Sequence, residues 1–562
     1  MLEVTRVTSP PDPLSTCGEG ESGSTVISSP WRERKLRGEV KYLLLVILLL
    51  WLALWFRAHN VLELPLFVDE SLHIQRGQVV WSLSDLGESL NLKKLLYYYW
   101  IGLFGLNAPE SAWLARTATA LFALIGAALT TAMARRLFNR WAGLLALALY
   151  AIAPFMVFFE RVALADAFTA TFCLAVAHAS LGLARHPTLK RGVLVGTLIG
   201  LAALAKLIAL PVALLPLLAI VLFSPSSSGL VKEGAGGWGG LRPYRRSLIA
   251  AALMIGVVLA PSLGYALIRE ITGTKDRVMV EESLYVTDDR AGQIVDNVEQ
   301  VFRSVMTLFA PELLVLVGVL IAYLVWRKPR PLAYLLAAVL LLWGFVIGIA
   351  AALSTRYLVL GVPFLLVLVA GGTVDAAGWV ASHRGAPIEP NWKAVQRLHW
   401  VAWAVLALWI VSFALPFDWD AMTDPVQLEL PPRDVWEYFT NTSSGYALRD
   451  LAADLPDLPP DEDGRIAVIG FLPSCHSLPL YWTEPNAVDL DCPLFKWDTS
   501  KQQEMTDHLI GRAETESVLY MAVDQTGVYD LEQLPFEWDL LAEYPRPHNG
   551  KVVRLYLVRM AE

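Results

Sequence analysis

Long runs of apolar residues recur along this chain from about residue 42 to about residue 415. A segment of about 20 apolar residues spans a bilayer, and its backbone polar groups are satisfied there only by a helix. The pattern therefore predicts an α-helical polytopic membrane protein with about eleven transmembrane helices, two of which are short and flank Lys206. The runs lie at about 42–57, 111–134, 142–159, 165–184, 192–205, 207–224, 247–268, 311–326, 332–353, 357–379 and 399–415.

The two ends of the chain are polar. Residues 1–41 are rich in Ser, Pro, Thr and Gly and finish in the basic stretch WRERKLRGEVK, which is typical of a disordered tail beside a membrane. In residues 416–562, strand-like segments at 464–472 and 516–524 and a terminal pair around LLAEYP and KVVRLYLVRM follow the helical stretch GYALRDLAADL. We therefore expect a cytoplasmic tail over 1–41, a membrane domain over 42–415 and a small α/β domain over 416–562.

Basic residues cluster in six connections, and all six fall on one side when eleven spans are threaded. Because Lys and Arg are enriched in cytoplasmic loops, that side is expected to be the cytoplasm of a cell with the protein in its plasma membrane. The N-terminus then lies inside, while the loops 58–110 and 269–310 and the C-terminal domain lie outside. The clusters are Arg34–Lys41, Arg135–Arg140, Arg185–Arg191, Arg242–Arg246, Arg327–Arg330 and Arg384–Arg397.

Composition agrees with this class, because 55% of residues are hydrophobic and 17% are charged, against about 25% charged residues in soluble proteins. No long basic stripe accompanies the net charge of −8, so nucleic acid is not an expected partner. The chain has four cysteines and no CxxC pair, which argues against a zinc–thiolate site. Cys475 and Cys492 both lie in the C-terminal domain, and either a disulfide or two free thiols fits the sequence.

Two acidic clusters lie at the same expected membrane level. Asp69 and Glu70 follow the first apolar run directly, in FVDESLHI, and Glu160, Arg161 and Asp166 lie where the third and fourth runs meet. A single such carboxylate is more often a helix cap or a solvated loop residue. Two clusters at one level favour a functional site, because charged groups near a bilayer are costly.

Two cations interrupt apolar sequence on the same side: Lys206 in GLAALAKLIALP and Arg356 in LSTRYLVLGVPFLL. Long basic side chains that reach toward the interface would explain each cation separately. A bound anion would explain both, since a phosphate requires fixed positive charge and Arg offers it two parallel donors.

With these motifs in this order, the chain resembles the GT-C fold membrane glycosyltransferases, in particular the dolichyl-phosphate-mannose protein mannosyltransferase and aminoarabinose transferase superfamily (glycosyltransferase family 39-like). The resemblance covers roughly residues 40–380. It is carried by FVDESLHI, by the stretch from ARTATALF to ADAFTATF, by GLAALAK and by STRYLVLGVPFL, while SSGYALRDLAADL is similar to an element before a small external α/β domain. One departure lies in NLKKLLYYYW, where Lys94 and Leu95 replace the Pro-Pro pair that relatives often carry.

The resemblance implies that a sugar moves from a polyprenyl-phosphate donor to an acceptor hydroxyl on the extracytoplasmic side, with inversion. The acceptor class (glycan, lipid or protein) is left open. In this reading Asp69 is either the general base or the residue that orients the acceptor. Glu70 either positions Asp69 or shares a proton or a metal ion with Asp69. Asp166 holds the acceptor or a divalent ion with Arg161 as its partner, and Glu160 can take either role.

The other implied roles are divided between phosphate, acceptor and metal. Lys206, Arg356 and Tyr357 are expected to bind the donor phosphate, and Lys93 and Tyr97 to support the acceptor loop. A divalent cation, Mg²⁺ or Mn²⁺, would suit carboxylates, and its expected ligands are Asp69, Asp166 and His73. Some relatives need no metal, so the metal question stays open.

Two other functions compete with this interpretation. A lipid or sugar transporter or flippase predicts ionisable residues at mid-membrane and repeated halves with interrupted helices, whereas the charges here gather at one level and no convincing repeat is found. An inactive GT-C relative that acts as a binding subunit is suggested by the altered Pro-Pro element. The retained acidic and basic motifs argue against it.

Overall fold

The computed structural model describes residues 30–83, 89–90, 94–106, 110–225, 242–272, 289–382, 390–461, 464–482, 488–493, 502–524 and 536–560. The chain forms two compact units, Met1–Ile47 and Leu48–Glu562. The first unit contributes the start of a long helix, and the second contains the rest of the membrane part together with the C-terminal sheet domain. The predicted domain limits at 41/42 and 415/416 stay a prediction.

The apolar runs of the membrane part are mainly helical where the structure describes them. Several of these helices are joined by only one to three residues, which places them side by side. The helices are α1 (Pro30–Ala58), α2 (Val68–Val79), α3 (Leu95–Gly102), α4 (Ser111–Leu137), α5 (Arg140–Ile152), α6 (Pro154–Arg161), α7 (Ala165–Arg185), α8 (Leu189–Ala205), α9 (Leu215–Phe223), α10 (Arg245–Thr272), α11 (Arg290–Arg327), α12 (Pro329–Ile349), α13 (Val362–Ser382), α14 (Pro390–Trp409) and α15 (Leu415–Thr423).

Within the described residues, eight helices are long and apolar enough to cross a membrane, and a ninth span results if α5 and α6 count as one. These two are bent by 54° where Pro154 begins α6. The multi-pass helical prediction is confirmed, and the expected eleven spans, two more than these nine, stay a prediction. The difference lies in the runs at 192–205 and 207–224. The first is the 17-residue α8, and the second is split into the 3₁₀ segment Leu207–Leu214 and α9, because Pro211 and Pro216 remove backbone donors.

Close contact between α8 and α10 is made possible by glycine. Gly192, Gly196 and Gly200 lie at intervals of four residues along one side of α8. A Cβ atom at Gly196 would lie 2.2 Å from the carbonyl oxygen of Ala251 in α10. This is the spacing of small residues that lets membrane helices approach backbone to backbone.

Basic side chains gather around the C-terminal end of α7. Arg136 donates to the carbonyl of His178 at 3.0 Å, Arg191 donates to that of Gly182 at 3.0 Å, and Tyr244 donates to that of Ala184 at 2.7 Å. Three of the basic connections noted in the sequence therefore meet at one end of the bundle. Helix α7 has 21 residues, so at 1.5 Å per residue its first turn lies about 30 Å away, roughly the thickness of a hydrocarbon core.

The C-terminal domain contains a five-stranded mixed sheet in the order β2-β1-β3-β5-β4. Strand β1 pairs in parallel with β2 and β3, and β5 pairs antiparallel with β3 and β4. The α/β prediction is confirmed, and both predicted strands and the terminal pair are present. The strands are β1 (Ala467–Phe471), β2 (Asp489–Asp491), β3 (Leu519–Asp524), β4 (Phe536–Pro545) and β5 (Val552–Met560).

Helices cover both faces of this sheet. Alternate residues of β1 point to opposite faces, so that Val468 packs with the helix α16 (Tyr446–Asp454) and Ile469 packs with Leu509 of α17 (Gln502–Thr515). A disulfide joins Cys475 to Cys492 with an S–S distance of 2.05 Å. Of the two alternatives left open by the sequence, the structure therefore shows the bridge.

Candidate active site

The first turn of α2 carries Asp69 and Glu70, where carboxylates interact favourably with the positive end of the helix dipole. The C-terminal domain fixes this turn. Leu66 N donates to the hydroxyl of Tyr481 at 2.8 Å, and Val68 N donates to the carbonyl of Ser443 at 3.0 Å. The candidate site consequently lies at the end of the bundle that the sheet domain contacts.

Glu70 is fully buried in an ion pair with Arg116 of α4. Arg116 Nε and Nη2 donate to the two carboxylate oxygens at 2.8 and 2.7 Å, and its Nη1 donates to the carbonyls of Val61 and Leu64. The carboxylate also accepts from the N–H groups of Phe67 at 3.0 Å and Ala163 at 2.6 Å. Each oxygen thus has two donors, and Glu70 joins α2, α4 and the turn before α7.

Asp69, the neighbour of Glu70, faces a different cation. Its Oδ2 lies 2.8 Å from Arg356 Nη1, and both side chains are partly exposed, 26% for Asp69 and 12% for Arg356. Burial by itself would raise the pKa of Asp69. Arg356, followed by Lys94, outweighs that effect and holds the pKa of this carboxyl well below its usual range. Asp69 is therefore an ionised carboxylate that incoming molecules can reach.

A second ion pair lies beside the first. Lys206, at the end of α8, places Nζ 2.5 Å from Asp166 Oδ1 in the first turn of α7. The same ammonium group lies 4.3 Å from the ring centre of Tyr357, and the Arg356 guanidinium lies 5.6 Å from that ring centre. Tyr357 therefore contacts two cations from distant parts of the chain, and each of these cations is paired with its own carboxylate.

His73 occupies the turn of α2 after Asp69 and is almost completely buried. Its Nδ1 lies 2.9 Å from the carbonyl of Ala163, and its Nε2 lies 2.9 Å from Lys94 Nζ. Burial, followed by the positive charge of Lys94, lowers the pKa of His73 well below its ordinary value. A neutral ring that donates from Nδ1 and accepts from Lys94 at Nε2 satisfies both contacts, so His73 orients Lys94 toward Asp69.

Glu160 and Arg161 do not reach this group. Glu160 is fully buried, pairs with Arg57 of α1 at 2.5 Å, and accepts from the hydroxyl of Tyr150. Arg161 donates to the carbonyls of Phe56, His59 and Asn60 at 2.7 to 2.9 Å. The expected pairing of Asp166 with Arg161 is therefore wrong: Lys206 takes that place, and Arg161 fixes the end of α1.

Tyr97, which was also expected to support the acceptor, lies in α3. Tyr97 is fully buried, and its hydroxyl is 2.8 Å from Thr119 Oγ1. The rings of Tyr97 and His73 pack edge to face, with their centres 5.5 Å apart, so Tyr97 supports the position of His73. Lys93 lies outside the described residues, whereas its neighbour Lys94 belongs to the charged group around Asp69.

Two acidic residues that sequence reasoning missed lie on the far side of Arg356. Glu437 accepts from Ser354 at 3.2 Å and from Arg433 Nε at 2.8 Å. Asp434 is fully buried one helical turn earlier. Burial, with some help from Glu437, raises the pKa of Asp434 to about 8, although Thr355, Arg356 and Arg433 oppose the shift. In the sequence, nothing distinguishes Glu437 and Asp434 from the other acidic residues of the C-terminal domain.

The expected metal ligands are not arranged as a metal site. Asp69 and Asp166 each face a cation, and both ring nitrogens of His73 have partners. In the described part of the chain, no three His, Cys, Asp or Glu side chains form a group that could hold a metal ion. The residues present thus do not fit a divalent cation, and the arrangement suits an anion placed between Arg356 and Lys206.

Comparison with known proteins supports the predicted resemblance. Residues 94–239, about a quarter of the chain, match the family model described as dolichyl-phosphate-mannose-protein mannosyltransferase. That range contains Asp166 and Lys206 but neither Asp69 nor Arg356. Among curated proteins, none is significantly similar to this chain in sequence.

Solved structures extend the agreement to nearly the whole fold. ArnT from Cupriavidus metallidurans bound to undecaprenyl phosphate matches with a TM-score of 0.55 and 17% identity over 92% of this chain and 97% of that chain. The apo form of ArnT matches with the same TM-score and identity, over 93% of this chain and 98% of the ArnT chain. An oligosaccharyltransferase from Archaeoglobus fulgidus matches with a TM-score of 0.46 and 13% identity, over 86% of this chain and 69% of that chain. The GT-C fold and the resemblance to this superfamily are confirmed.

Proposed function

We propose that this chain is an integral membrane glycosyltransferase that moves a sugar from a polyprenyl-phosphate donor to an acceptor hydroxyl on the extracytoplasmic side, with inversion. The observation that carries the proposal is the pair of ion pairs around Tyr357, Asp69–Arg356 and Asp166–Lys206. It places a reachable carboxylate next to two cations, which is what transfer away from a phosphate requires.

Arg356 and Lys206 are the proposed phosphate ligands. Arg356 is mostly buried, and its Nε has no hydrogen-bond partner in the part of the chain that the structure describes. A buried donor without a partner is costly, and a phosphate oxygen would satisfy it with a charge-assisted bond. That ArnT was solved with undecaprenyl phosphate bound supports the same ligand class for this chain.

Asp69 is the proposed general base. It takes the proton of the acceptor hydroxyl while the oxygen forms a bond to the anomeric carbon. The bond from that carbon to the phosphate oxygen breaks, and Arg356 and Lys206 stabilise the negative charge on the departing phosphate. Attack opposite the phosphate inverts the anomeric centre. Glu70, through Arg116, positions the turn that carries Asp69, and Asp166 holds Lys206.

An Asp69→Asn substitution tests the base. We expect the transfer rate to fall by about 10² to 10⁴-fold, which is the usual contribution of a general base. Undecaprenyl phosphate should bind at least as tightly as before, because Arg356 loses an internal competitor. Turnover with a polyprenyl-phosphate sugar and binding by native mass spectrometry measure the two quantities.

Glu70→Gln separates the base from its support. This change leaves a buried Arg116 without its counter-charge, so we expect loss of thermal stability, about 3–5 kcal/mol by analogy with other broken buried pairs. Asp69→Asn should lower the melting temperature by less, because it also breaks an ion pair but both of its partners are partly exposed. Normal turnover by Asp69→Asn would contradict the assignment of the base, and failure of the wild type to bind any polyprenyl phosphate would contradict the proposed donor class.

A further inference from the structure

Helix α11 is longer than a membrane crossing requires. Its 38 residues correspond to about 57 Å, against a hydrocarbon thickness of about 30 Å. Ala310, which precedes Pro311, has a φ of 59° and a ψ of 150°, and the helix is broken there. The chain thus forms a separate helical segment over residues 290–309 before it continues as a membrane span. This N-terminal segment of α11 is the subject of the inference.

The N-terminal segment of α11 has two distinct faces. Exposed apolar side chains occupy one face: Val295, Val298 and Phe302 are 64%, 50% and 63% exposed. The other face is polar and lines a groove with Asp289, Gln293, Asp296, Asn297 and Gln300. These residues recur at helical spacing, so the polar face is a continuous stripe. An exposed apolar face suits lipid, and it turns the polar stripe toward the protein.

The groove has a volume of about 470 Å³, within the range of about 300–1,000 Å³ of small-molecule sites. Its other wall consists of residues 351–353 and Arg433. Asn297 donates to the carbonyls of Ile347 and Ala350 and accepts from Leu353 N, and Gln293 donates to the carbonyl of Ala350. The two walls are therefore joined by hydrogen bonds, so the groove is formed before any ligand binds.

The polar stripe leads to the proposed active site. One helical turn after Gln300, the hydroxyl of Ser304 lies 2.9 Å from that of Thr355, and both residues are fully buried. Thr355 directly precedes Arg356. On the other wall, Leu353 is three residues before Arg356, a distance of at most about 10 Å along the chain. An elongated molecule in the groove would thus have one end near the ion pair of Asp69 and Arg356.

The charges of the groove define its ligand. It contains the carboxylates of Asp289 and Asp296, and its cation, Arg433, is already paired with Glu437. This balance disfavours a phosphorylated or otherwise anionic molecule. Carboxylate side chains accept from hydroxyls, and amide side chains both accept from and donate to them. We infer that this groove binds the acceptor, an uncharged hydroxyl-rich molecule such as a neutral glycan; the inference rests on the proposed function.

The experiment uses the full chain in nanodiscs with two probes, α-mannobiose and its 6-phosphate, and measures binding by saturation-transfer NMR. We expect the neutral disaccharide to bind and its phosphate to bind less tightly. The Asp296→Ala and Gln300→Ala double substitution should weaken α-mannobiose binding by about tenfold, because hydrogen bonds to a charged and a neutral acceptor are lost. Glu299→Ala is the matched control, since its exposed side chain pairs with Arg303 and does not line the groove.

Three results would overturn the inference: no binding of α-mannobiose at millimolar concentration, equal binding by the double variant, or tighter binding of the phosphate. Undecaprenyl phosphate binding by the same samples separates this from the proposed function. An Arg356→Gln variant should lose binding of the lipid phosphate and keep that of α-mannobiose. If the lipid phosphate binds through Arg356 but the disaccharide result is negative, only the acceptor groove is refuted; if no lipid phosphate binds, the proposed function fails.

Discussion

Asp434 shows how strongly one buried carboxyl can depend on its surroundings. It lies near Arg356 and Glu437, and burial raises its pKa to about 8. At neutral pH the folded protein therefore holds a proton there that the unfolded chain, with an ordinary carboxyl pKa near 4, releases. Protons bound more tightly in the folded state stabilise it at low pH, and this contribution decreases as the pH rises.

An Asp434→Asn substitution makes this dependence measurable. Between pH 5 and pH 8 the wild type should lose stability relative to the variant, by up to about 4 kcal/mol if the whole shift is realised. Thermal unfolding of the purified protein across this range measures the difference. Asp450→Asn is the control, since that side chain is half exposed. Parallel curves for wild type and Asp434→Asn would contradict the raised pKa.

At the residue scale, the charged site was predictable where unusual residues interrupt apolar sequence. Asp69, Asp166, Lys206 and Arg356 stand out in that way, and the structure brings all four together. Their pairing was not predictable, because partners lie up to 287 positions apart along the chain. Arg116 was missed although it also lies in an apolar stretch, which is the signal that could have revealed it.

At the element scale, the approach of α8 and α10 depends on the absence of side-chain atoms. Gly196 contacts the backbone of Ala251 so closely that a Cβ atom would lie 2.2 Å from its carbonyl oxygen. In contrast, nothing lies within 4 Å of a Cβ atom built on Gly256 in α10. The same substitution at the two sites therefore has opposite expected effects.

Gly196→Ala should lower the melting temperature of the protein, because the clash outweighs the gain of about 1 kcal/mol that alanine gives inside a helix. Gly256→Ala should leave the melting temperature unchanged or raise it slightly. Differential scanning fluorimetry in one detergent compares them. Equal melting temperatures for both variants would show that α8 and α10 are not in backbone contact.

Element prediction worked where periodicity and composition agree. The strands in GRIAVIGFL and ESVLYMAVD are present because their alternate residues fill the two layers on either side of the sheet. Apolar content alone did not show that the run at 207–224, which contains Pro211 and Pro216, is divided into a 3₁₀ segment and a short helix. The segment 290–309 was predicted to be part of a loop, because its polar residues keep it from being recognised as an apolar helix.

At the scale of the whole molecule, two independent features support the proposed orientation. Basic side chains surround the C-terminal end of α7, about 30 Å from the candidate site at its other end. The disulfide between Cys475 and Cys492 lies in the domain on the site's side, and disulfides persist in oxidising compartments. Both support the proposal that the site and the sheet domain lie outside the cytoplasm.

Reporter fusions to the C-terminus test this orientation. In a bacterial host, alkaline phosphatase, which requires an oxidising compartment, should be active there. Green fluorescent protein exported through the same membrane should be dark. The same pair of reporters fused after Lys328, in a basic connection, should give the reverse pattern. A fluorescent C-terminal fusion with inactive phosphatase would refute the proposed sidedness.

The contact between Asp69 and Arg356 also has a consequence for the order in which two substrates would bind. While the two are joined, the carboxylate is engaged by the same guanidinium that a lipid phosphate would require. Arrival of a donor must loosen that contact, and the carboxylate then becomes free to accept a proton from a hydroxyl. Without a donor, the Asp69 carboxylate therefore stays paired with Arg356, and binding of the donor would release it. Under the proposed function, Asp69 thus becomes an available base only after the donor has bound, so that donor binding precedes activation of the acceptor hydroxyl.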